Sequence, residues 1–172
     1  PADFIDAGVW KSNLRQLARK RMEEHGWTCE CIRCREVGMN DEDPETVEMD
    51  TIEYQAGGGT EHFISFEDFE KDLLVGFCRL RFPNDPVRRE LQNAAIVREL
   101  HVYGNQVGVG QDGDEADVQH RGYGRQLLAE AEDRARDAGF DKLSVISGIG
   151  VRQYYREKLG YHQDGPYVSK RL

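Results

Sequence analysis

Gln119-His120-Arg121-Gly122-Tyr123-Gly124 is the stretch on which the reading of the fold turns. An acidic, glycine-bearing loop, Gln111-Asp112-Gly113-Asp114-Glu115-Ala116-Asp117, leads into it, and an amphipathic segment from Gln126 to Ala138 leaves it. Two glycines at a helix start let the backbone come close to a ligand, because neither carries a Cβ. The unpaired N–H groups of the first helical turn then face that ligand, with the positive end of the dipole behind them. That is a cradle for a pyrophosphate. On spacing alone a plain helix-start turn reads equally well, since short glycine motifs recur by chance, so the flanking chain decides.

Downstream, Leu127, Leu128, Ala131 and Ala135 form an apolar stripe on a helix ending near Gly139, with Glu130, Glu132, Asp133, Arg134 and Arg136 turned outward. Lys142 to Ser147 reads as a short strand, and Gly148-Ile149-Gly150 as a turn. Val151 to Leu159 reads as a second helix stopped by Gly160, and Tyr161 to Leu172 as a final strand or a pair split around Gly165-Pro166. Upstream, strands are expected over 46–55, 61–67, 73–82 and 94–103, with a turn at Gly57-Gly58-Gly59 and a break at Pro83-Asn84-Asp85-Pro86. In the second of these, Phe63 and Ser65 fall on one side and His62, Ile64 and Phe66 on the other. The links between these four are too short for crossover helices, so they pair antiparallel. The fourth strand, the long helix and the next strand form a right-handed parallel crossover. The fold class is α+β: a mixed, mostly antiparallel sheet flanked by helices, preceded by an N-terminal helix and a cysteine-rich loop.

The chain has 172 residues, enough for one domain with a small appendage and a core that needs no disulfide. No apolar run approaches a membrane span and no signal pattern opens the chain, which starts at Pro1 as a processed chain or an excised fragment would. The formal net charge of -9 argues against a nucleic-acid partner on its face. The charge is uneven, however. Lys11, Arg15, Arg19, Lys20 and Arg21 cluster without an acid among them, while acids crowd 41–53 and 112–117.

Ser12 or Asn13 can cap a helix running to about Glu24 and ending near Gly26, with Leu14, Leu17, Ala18 and Met22 on one face. Lys11, Arg15 and Arg19 line another, either as an ordinary solvated face or as a contact for phosphate. Cys29-Glu30-Cys31-Ile32-Arg33-Cys34 follows. C-x-C-x-x-C gathers three thiolates in one tight turn, the donor type and spacing that Zn²⁺ takes. His25 and residues elsewhere stay open as the fourth ligand. Cys78 lies in an apolar strand and reads as a small core hydrophobe. Three clustered cysteines and one lone one make no disulfide framework, which points to a reducing, cytoplasmic setting.

Gln119, Gly122 and Gly124 match the pattern of the Gcn5-related acetyltransferase fold, and the resemblance covers about 46–172. Longer blocks resemble the catalytic subunit of Elongator, in its archaeal type: Lys11 to Gln16, Cys31 to Gly38, Arg98 to Gly104, Val145 to Gly150 with Tyr154-Tyr155, and Gly165-Pro166-Tyr167. That family joins a radical S-adenosylmethionine domain to a C-terminal acetyltransferase domain through a zinc site, and modifies the wobble uridine of tRNA at C5. This chain has no iron–sulfur cluster motif, so residues 1–44 read as the tail of a missing radical domain plus the zinc-binding linker, and 45–172 as the acetyltransferase domain. The iron–sulfur cluster and S-adenosylmethionine would belong to the missing part.

The resemblance implies acetyl-CoA as the ligand, with Gln119, His120, Arg121, Gly122, Tyr123 and Gly124 cradling its pyrophosphate and Tyr154 and Tyr155 near its thioester. It implies tRNA against Lys11, Arg15, Arg19 and Lys20, and Cys29, Cys31 and Cys34 on zinc. Further partners are the missing radical domain, other Elongator-type subunits or a second copy of the chain in a homodimer. Thioester cleavage needs an oxyanion donor, an activated attacker and an acid for the thiolate. Backbone N–H groups near Leu100, His101 and Val102 fit the first. Glu99 and His101, two apart on one strand, share a face and fit the second, against a salt bridge for Glu99 and core packing for His101. Tyr154 or Tyr155 fits the third. Tyr155 stands five residues before Gly160 where the family has four, so an extra residue around Glu157 or Lys158 bulges or lengthens the helix. A protein-lysine acetyltransferase and a non-catalytic RNA-binding module are the competing readings. His62 and His162 read as surface or edge residues.

Overall fold

The computed structural model describes residues 13–40, 42–103 and 122–172. It divides into two compact units, residues 1–34 and 35–172. The division falls ahead of the 44/45 boundary drawn from sequence. Arg35 and Glu36 are tied to the sheet, Arg35 through Glu67 and Asp72 and Glu36 through a bridge to Leu74.

The first unit carries α1 (Leu14–Glu24), which buries none of its residues. Asn13 is its N-cap, without a side-chain cap. Its end is a Schellman motif: Gly26 at φ +66, with Trp27 N–H on the Met22 carbonyl at 2.9 Å and Gly26 N–H on Glu23 at 3.1 Å. Leu14 and Leu17 on the expected apolar face stay exposed. A single helical turn, α2 (Ile32–Arg35), follows.

The second unit is a seven-stranded sheet: β1 (Glu48–Gln55), β2 (Gly59–Asp68), β3 (Leu73–Pro83), β4 (Ala94–Val102), β5 (Lys142–Val145), β6 (His162–Asp164) and β7 (Tyr167–Arg171). The order is β1-β2-β3-β4-β5-β7-β6, and among the described strands only β4 and β5 run parallel. That is the mixed, mostly antiparallel α+β sheet the pattern implied. The helices are α3 (Tyr123–Asp137) and α4 (Arg152–Lys158), the latter entered through a 3-10 turn at Ile149–Val151. Gly57 and Gly58 both sit at positive φ in the β1–β2 hairpin, where Ala56 N–H bonds the Gly59 carbonyl at 3.0 Å.

The core is the apolar side of one sheet face: Ile64, Cys78, Leu80, Ala95, Val97, Leu143 and Val168 against Leu127, Leu128, Ala131 and Ala135 of α3. The α3 stripe is as read. Glu132 departs from its outward reading, because it is drawn in by the Tyr161 hydroxyl at 2.8 Å and Lys170 Nζ at 2.7 Å.

The second strand departs more. Glu61, Ser65, Glu67 and Asp68 are buried, and so is His62, which was read as a surface or edge residue. Each polar side chain but His62 finds a hydrogen-bond partner, several of them distant in the chain. Arg81 and Arg98 meet Glu61, Arg35 and Ser65 meet Glu67, and the backbone N–H groups of Glu45, Thr46, Glu70 and Lys71 meet Asp68. His62 packs under the Phe82 ring at 4.4 Å, with neither ring nitrogen hydrogen-bonded among the described residues. His162 is exposed on β6, as expected of an edge residue.

Candidate active site

The site begins where the parallel ladder stops. β4 pairs with β5 only from Ala94 to Val97, and the last bond runs from Ile146 N–H to the Val97 carbonyl at 2.9 Å. Past that point β4 keeps β3 through Val102, while β5 has ended. The expected strand to Ser147 is shortened to Val145 for this reason. β4 also bulges at Arg98, where its register against β3 shifts between Arg79/Glu99 and Leu80/Val97.

Tyr103 N–H bonds the Val75 carbonyl at 2.8 Å, so the Tyr103 and His101 backbones face β3. Backbone groups alternate along a strand, which turns those of Leu100 and Val102 into the gap that β5 leaves. This is the splay at which the sequence reading put an oxyanion donor. Gly76 lies opposite Val102, and a Cβ there would fall 2.9 Å from the His101 carbonyl oxygen. The strands can close at this place only on a glycine.

α3 starts beside the same gap. Gly122, its N-cap, is left-handed at φ +74 and ψ 13, and no side chain among the described residues caps the helix. The Arg125 and Gln126 N–H groups return to the Gly122 carbonyl at 3.0 and 3.1 Å. The first-turn amides of Tyr123 and Gly124 therefore precede the intrahelical ladder, as a cradle requires. Gly124 packs on Val102, and a Cβ there would touch Val102 Cγ2 at an ordinary 3.5 Å. The Tyr123 ring packs against Phe66 at 4.6 Å. Gln119, His120 and Arg121 lie outside the described residues.

Glu99 and His101 share a face, as their spacing implied, and it is the face away from the α3 core. Glu99 pairs with Arg79 at 3.1 Å rather than with its neighbour Arg98, which turns to Glu61. His101 is exposed, not core-packed, with Phe77 at 5.3 Å and Tyr103 at 6.3 Å.

Tyr154 and Tyr155 belong to the α3 face. Tyr155 is only 6% exposed and joins the core cluster, edge-on to Tyr161 at 5.5 Å. Burial pushes its hydroxyl up to about 12. Tyr154 is 45% exposed, and its hydroxyl oxygen accepts from Arg125 Nε at 3.3 Å. The additional residue before Gly160 does not bulge α4. Leu159 N–H makes the ordinary bond to the Tyr155 carbonyl at 3.2 Å, and Tyr161 N–H reaches that same carbonyl at 3.1 Å. Gly160 sits between them at φ +76. α3 ends in a standard Schellman motif, with Phe140 N–H on the Ala135 carbonyl at 3.0 Å and Gly139 N–H on the Arg136 carbonyl at 2.9 Å. The α4 terminus spans one residue more. The insertion is absorbed at Leu159, after the helix, and not at Glu157 or Lys158.

In the first unit, the Sγ atoms of Cys29, Cys31 and Cys34 lie within 4.8 Å of one another. Tetrahedral Zn–S bonds of about 2.3 Å put sulfurs about 3.8 Å apart, so a small contraction would seat the ion. The thiol of Cys31 is held down to about 6, first by Cys29, then by the Cys34 backbone N–H and by Arg15. Arg15 Nη2 lies 3.8 Å from Cys31 Sγ and 3.6 Å from Cys34 Sγ. Arg15 therefore faces sulfur, whereas the sequence reading gave it to RNA phosphate. Arg19 is paired with Glu23 at 3.1 Å, Lys20 is exposed, and Lys11 lies outside the described residues. His25, one open choice for a fourth ligand, stacks on Trp27 at 4.7 Å. Cys78 is fully buried, as expected, and burial pushes its thiol up to about 12.

Sequence reasoning missed Arg125 and Glu61. A cation directly after the second glycine was a usable signal for Arg125, whereas Glu61 gave none, because its partners are far away in the chain.

Comparison with known proteins yields a match of residues 20–161 to the acetyltransferase (GNAT) family. A tRNA uridine(34) acetyltransferase of Methanocaldococcus jannaschii is 49% identical over 180 residues, covering 100% of this chain and 33% of that protein. Elongator complex protein 3 of Saccharomyces cerevisiae is 46% identical over 181 residues, covering 100% and 32%. The solved structure of archaeal Methanocaldococcus infernus Elp3 with an N-terminal deletion superposes with a TM-score of 0.81 at 47% identity, covering 100% of this chain and 42% of that one. The chain thus spans about a third of the length of the curated relatives it matches.

Proposed function

The chain belongs to the acetyltransferase (GNAT) family, and on that premise we propose that it binds acetyl-CoA in the gap between β4 and β5 and cleaves the thioester. The acetyl unit would serve C5 modification of the wobble uridine of tRNA, in concert with a radical S-adenosylmethionine domain elsewhere in the full protein. The observation that carries this reading is the early end of the β4–β5 ladder beside an uncapped helix start. The in-plane N–H groups of Leu100 and Val102 would bind the thioester oxygen as negative charge develops on it.

The groups on the two faces of the sheet divide the proton work. On the α3 face, a hydroxyl of Tyr154 or Tyr155 would give a proton to the leaving thiolate as the C–S bond breaks. On the opposite face, Glu99 or His101 would take a proton from the attacker. Glu99 already serves Arg79, and His101 has no counter-ion among the described residues, so His101 is the readier base. Cys29, Cys31 and Cys34 would hold a zinc ion that fixes the loop, with Arg15 offsetting thiolate charge. RNA contact would then fall to Lys11 and Lys20 in preference to Arg15 and Arg19. The names of the relatives support tRNA over a protein lysine as the end user of the acetyl unit.

The test is acetyl-CoA hydrolysis with and without tRNA, by the chain and by a protein extended to the length of its relatives. Hydrolysis that rises with tRNA is expected. Transfer to a lysine peptide with no response to tRNA would replace this reading with that of a protein acetyltransferase.

A further inference from the structure

Arg125 is the first residue after the Gly122–Gly124 pair, and its backbone N–H is fixed on the Gly122 carbonyl at 3.0 Å. Its Nε crosses from α3 to α4 and donates to the Tyr154 hydroxyl at 3.3 Å. Among the described residues no carboxylate is paired with Arg125. Arg35, Arg79, Arg81, Arg98, Arg134 and Arg136 each lie on a carboxylate. Arg125 is held by a neutral phenol, which orients the guanidinium without neutralising it. Nε uses one of five N–H donors and leaves the Nη groups for an acceptor. The first-turn amides of Tyr123 and Gly124 open beside it, where an anion is favoured.

The neighbouring tyrosine lies in a different setting. Its ring is turned 75° from that of Tyr154, it is packed on Tyr161, and it makes no bond to Arg125. We propose that Arg125 supplies the charged side-chain contact to the pyrophosphate of CoA and that Tyr154 is the positioning residue that aims it. Tyr155 is then left as the proton donor to sulfur. This assignment rests on the acetyl-CoA reading above and divides the tyrosine pair between binding and chemistry.

Calorimetric titration of the chain with CoA and with pantetheine, which shares the thiol arm but has no phosphate, tests it. Charge-assisted hydrogen bonds contribute enough that Arg125→Met should weaken CoA by about tenfold and leave pantetheine unchanged. Tyr154→Phe should weaken CoA by about threefold, again without effect on pantetheine. The double variant should match Arg125→Met alone, because the two residues act as one unit. Arg125→Lys, which keeps the charge but loses the planar fork, should recover part of the affinity and no longer respond to Tyr154→Phe. CoA affinity unchanged in Arg125→Met overturns the assignment. Equal weakening of CoA and pantetheine by Tyr154→Phe also overturns it, since that is the mark of a merely structural tyrosine. A wild-type chain that binds pantetheine but gains nothing from the phosphates of CoA defeats the Arg125 assignment alone. One that binds neither defeats the acetyl-CoA reading as well.

Discussion

Glu61 Oε1 accepts from Arg81 Nη1 at 2.7 Å and from Arg98 Nη1 at 2.6 Å, so two strands are tied to one oxygen of a carboxylate that is 1% exposed. Arg81 also donates to the Ala56 and Gly57 carbonyls, which fastens the β1–β2 hairpin to β3. Removing the acid leaves the largely buried Arg81 guanidinium unpaired and facing a second cation, Arg98. Glu61→Ala should lower the unfolding free energy by about 3–5 kcal/mol, the cost of breaking a buried ion pair from one side. Arg98→Ala should cost less, because Arg98 is half exposed and Arg81 still neutralises the carboxylate. Urea unfolding followed by circular dichroism measures both, and equal losses would refute the ranking.

Gly76 and Gly124 should respond oppositely to the same added methyl. At Gly76 the new Cβ meets the His101 carbonyl at 2.9 Å and the Val102 Cα at 3.2 Å, so β3 and β4 must part. Gly76→Ala should destabilise the fold by about 1–3 kcal/mol, as overpacking does, and weaken acetyl-CoA binding by displacing Leu100 and Val102. Gly124→Ala finds only Val102 Cγ2 at 3.5 Å. It should leave stability within about 0.5 kcal/mol of wild type or raise it, since alanine is the better helix former. Thermal melts of the two variants check the contrast.

His62 should make the fold sensitive to mild acid. Its folded pKa is lowered, first by burial, which outweighs the pull of Glu53 and Glu61, with Arg134 lowering it further. The unfolded chain therefore binds the proton before the folded one does. Stability should be full above the ordinary histidine range and fall as pH drops through about 6.5 toward the lower folded value. His62→Phe removes this titration and should flatten the slope of stability between pH 7 and pH 5. An unchanged slope would mean that the acid sensitivity lies in other groups.

Cys29, Cys31 and Cys34 should bind about one zinc ion per chain, given a donor set that suits it. Cys31→Ser should lose most of the metal, while Cys78→Ser should lose none, because Cys78 is sealed in the core. Metal content after dialysis reads this directly. A chelator should raise hydrogen exchange of the 29–35 amides, as expected when binding free energy is also folding free energy.

Periodicity made α3 legible, since Leu127, Leu128, Ala131 and Ala135 are a local pattern and all four are buried. The antiparallel run from β1 to β4 was legible for a related reason: short connections leave few alternatives. β2 was not, because the burial of Glu61, Glu67 and Asp68 depends on Arg81, Arg98, Arg35 and loop amides far along the chain. In the candidate site, the glycine pair could be read from spacing, and the tyrosine pair from the family resemblance. The environments that separate Tyr154 from Tyr155 could not, because they come from Arg125 and Tyr161 across the helix boundary. Arg15 shows the same limit. Its spacing with Arg19 suggested a shared role, but folding the loop back sends Arg15 to sulfur and leaves Arg19 with Glu23.

The wide terminus of α4 has a consequence for chain length. Leu159 and Gly160 lie between two N–H groups that converge on the single carbonyl of Tyr155. A chain one residue shorter there could close with the bond pattern that ends α3, without rotating the helix that precedes it. This junction works as an expansion joint. It offers a place to take up a length difference in the loop without altering the hydrogen bonds of α4 upstream or of the β6–β7 hairpin downstream.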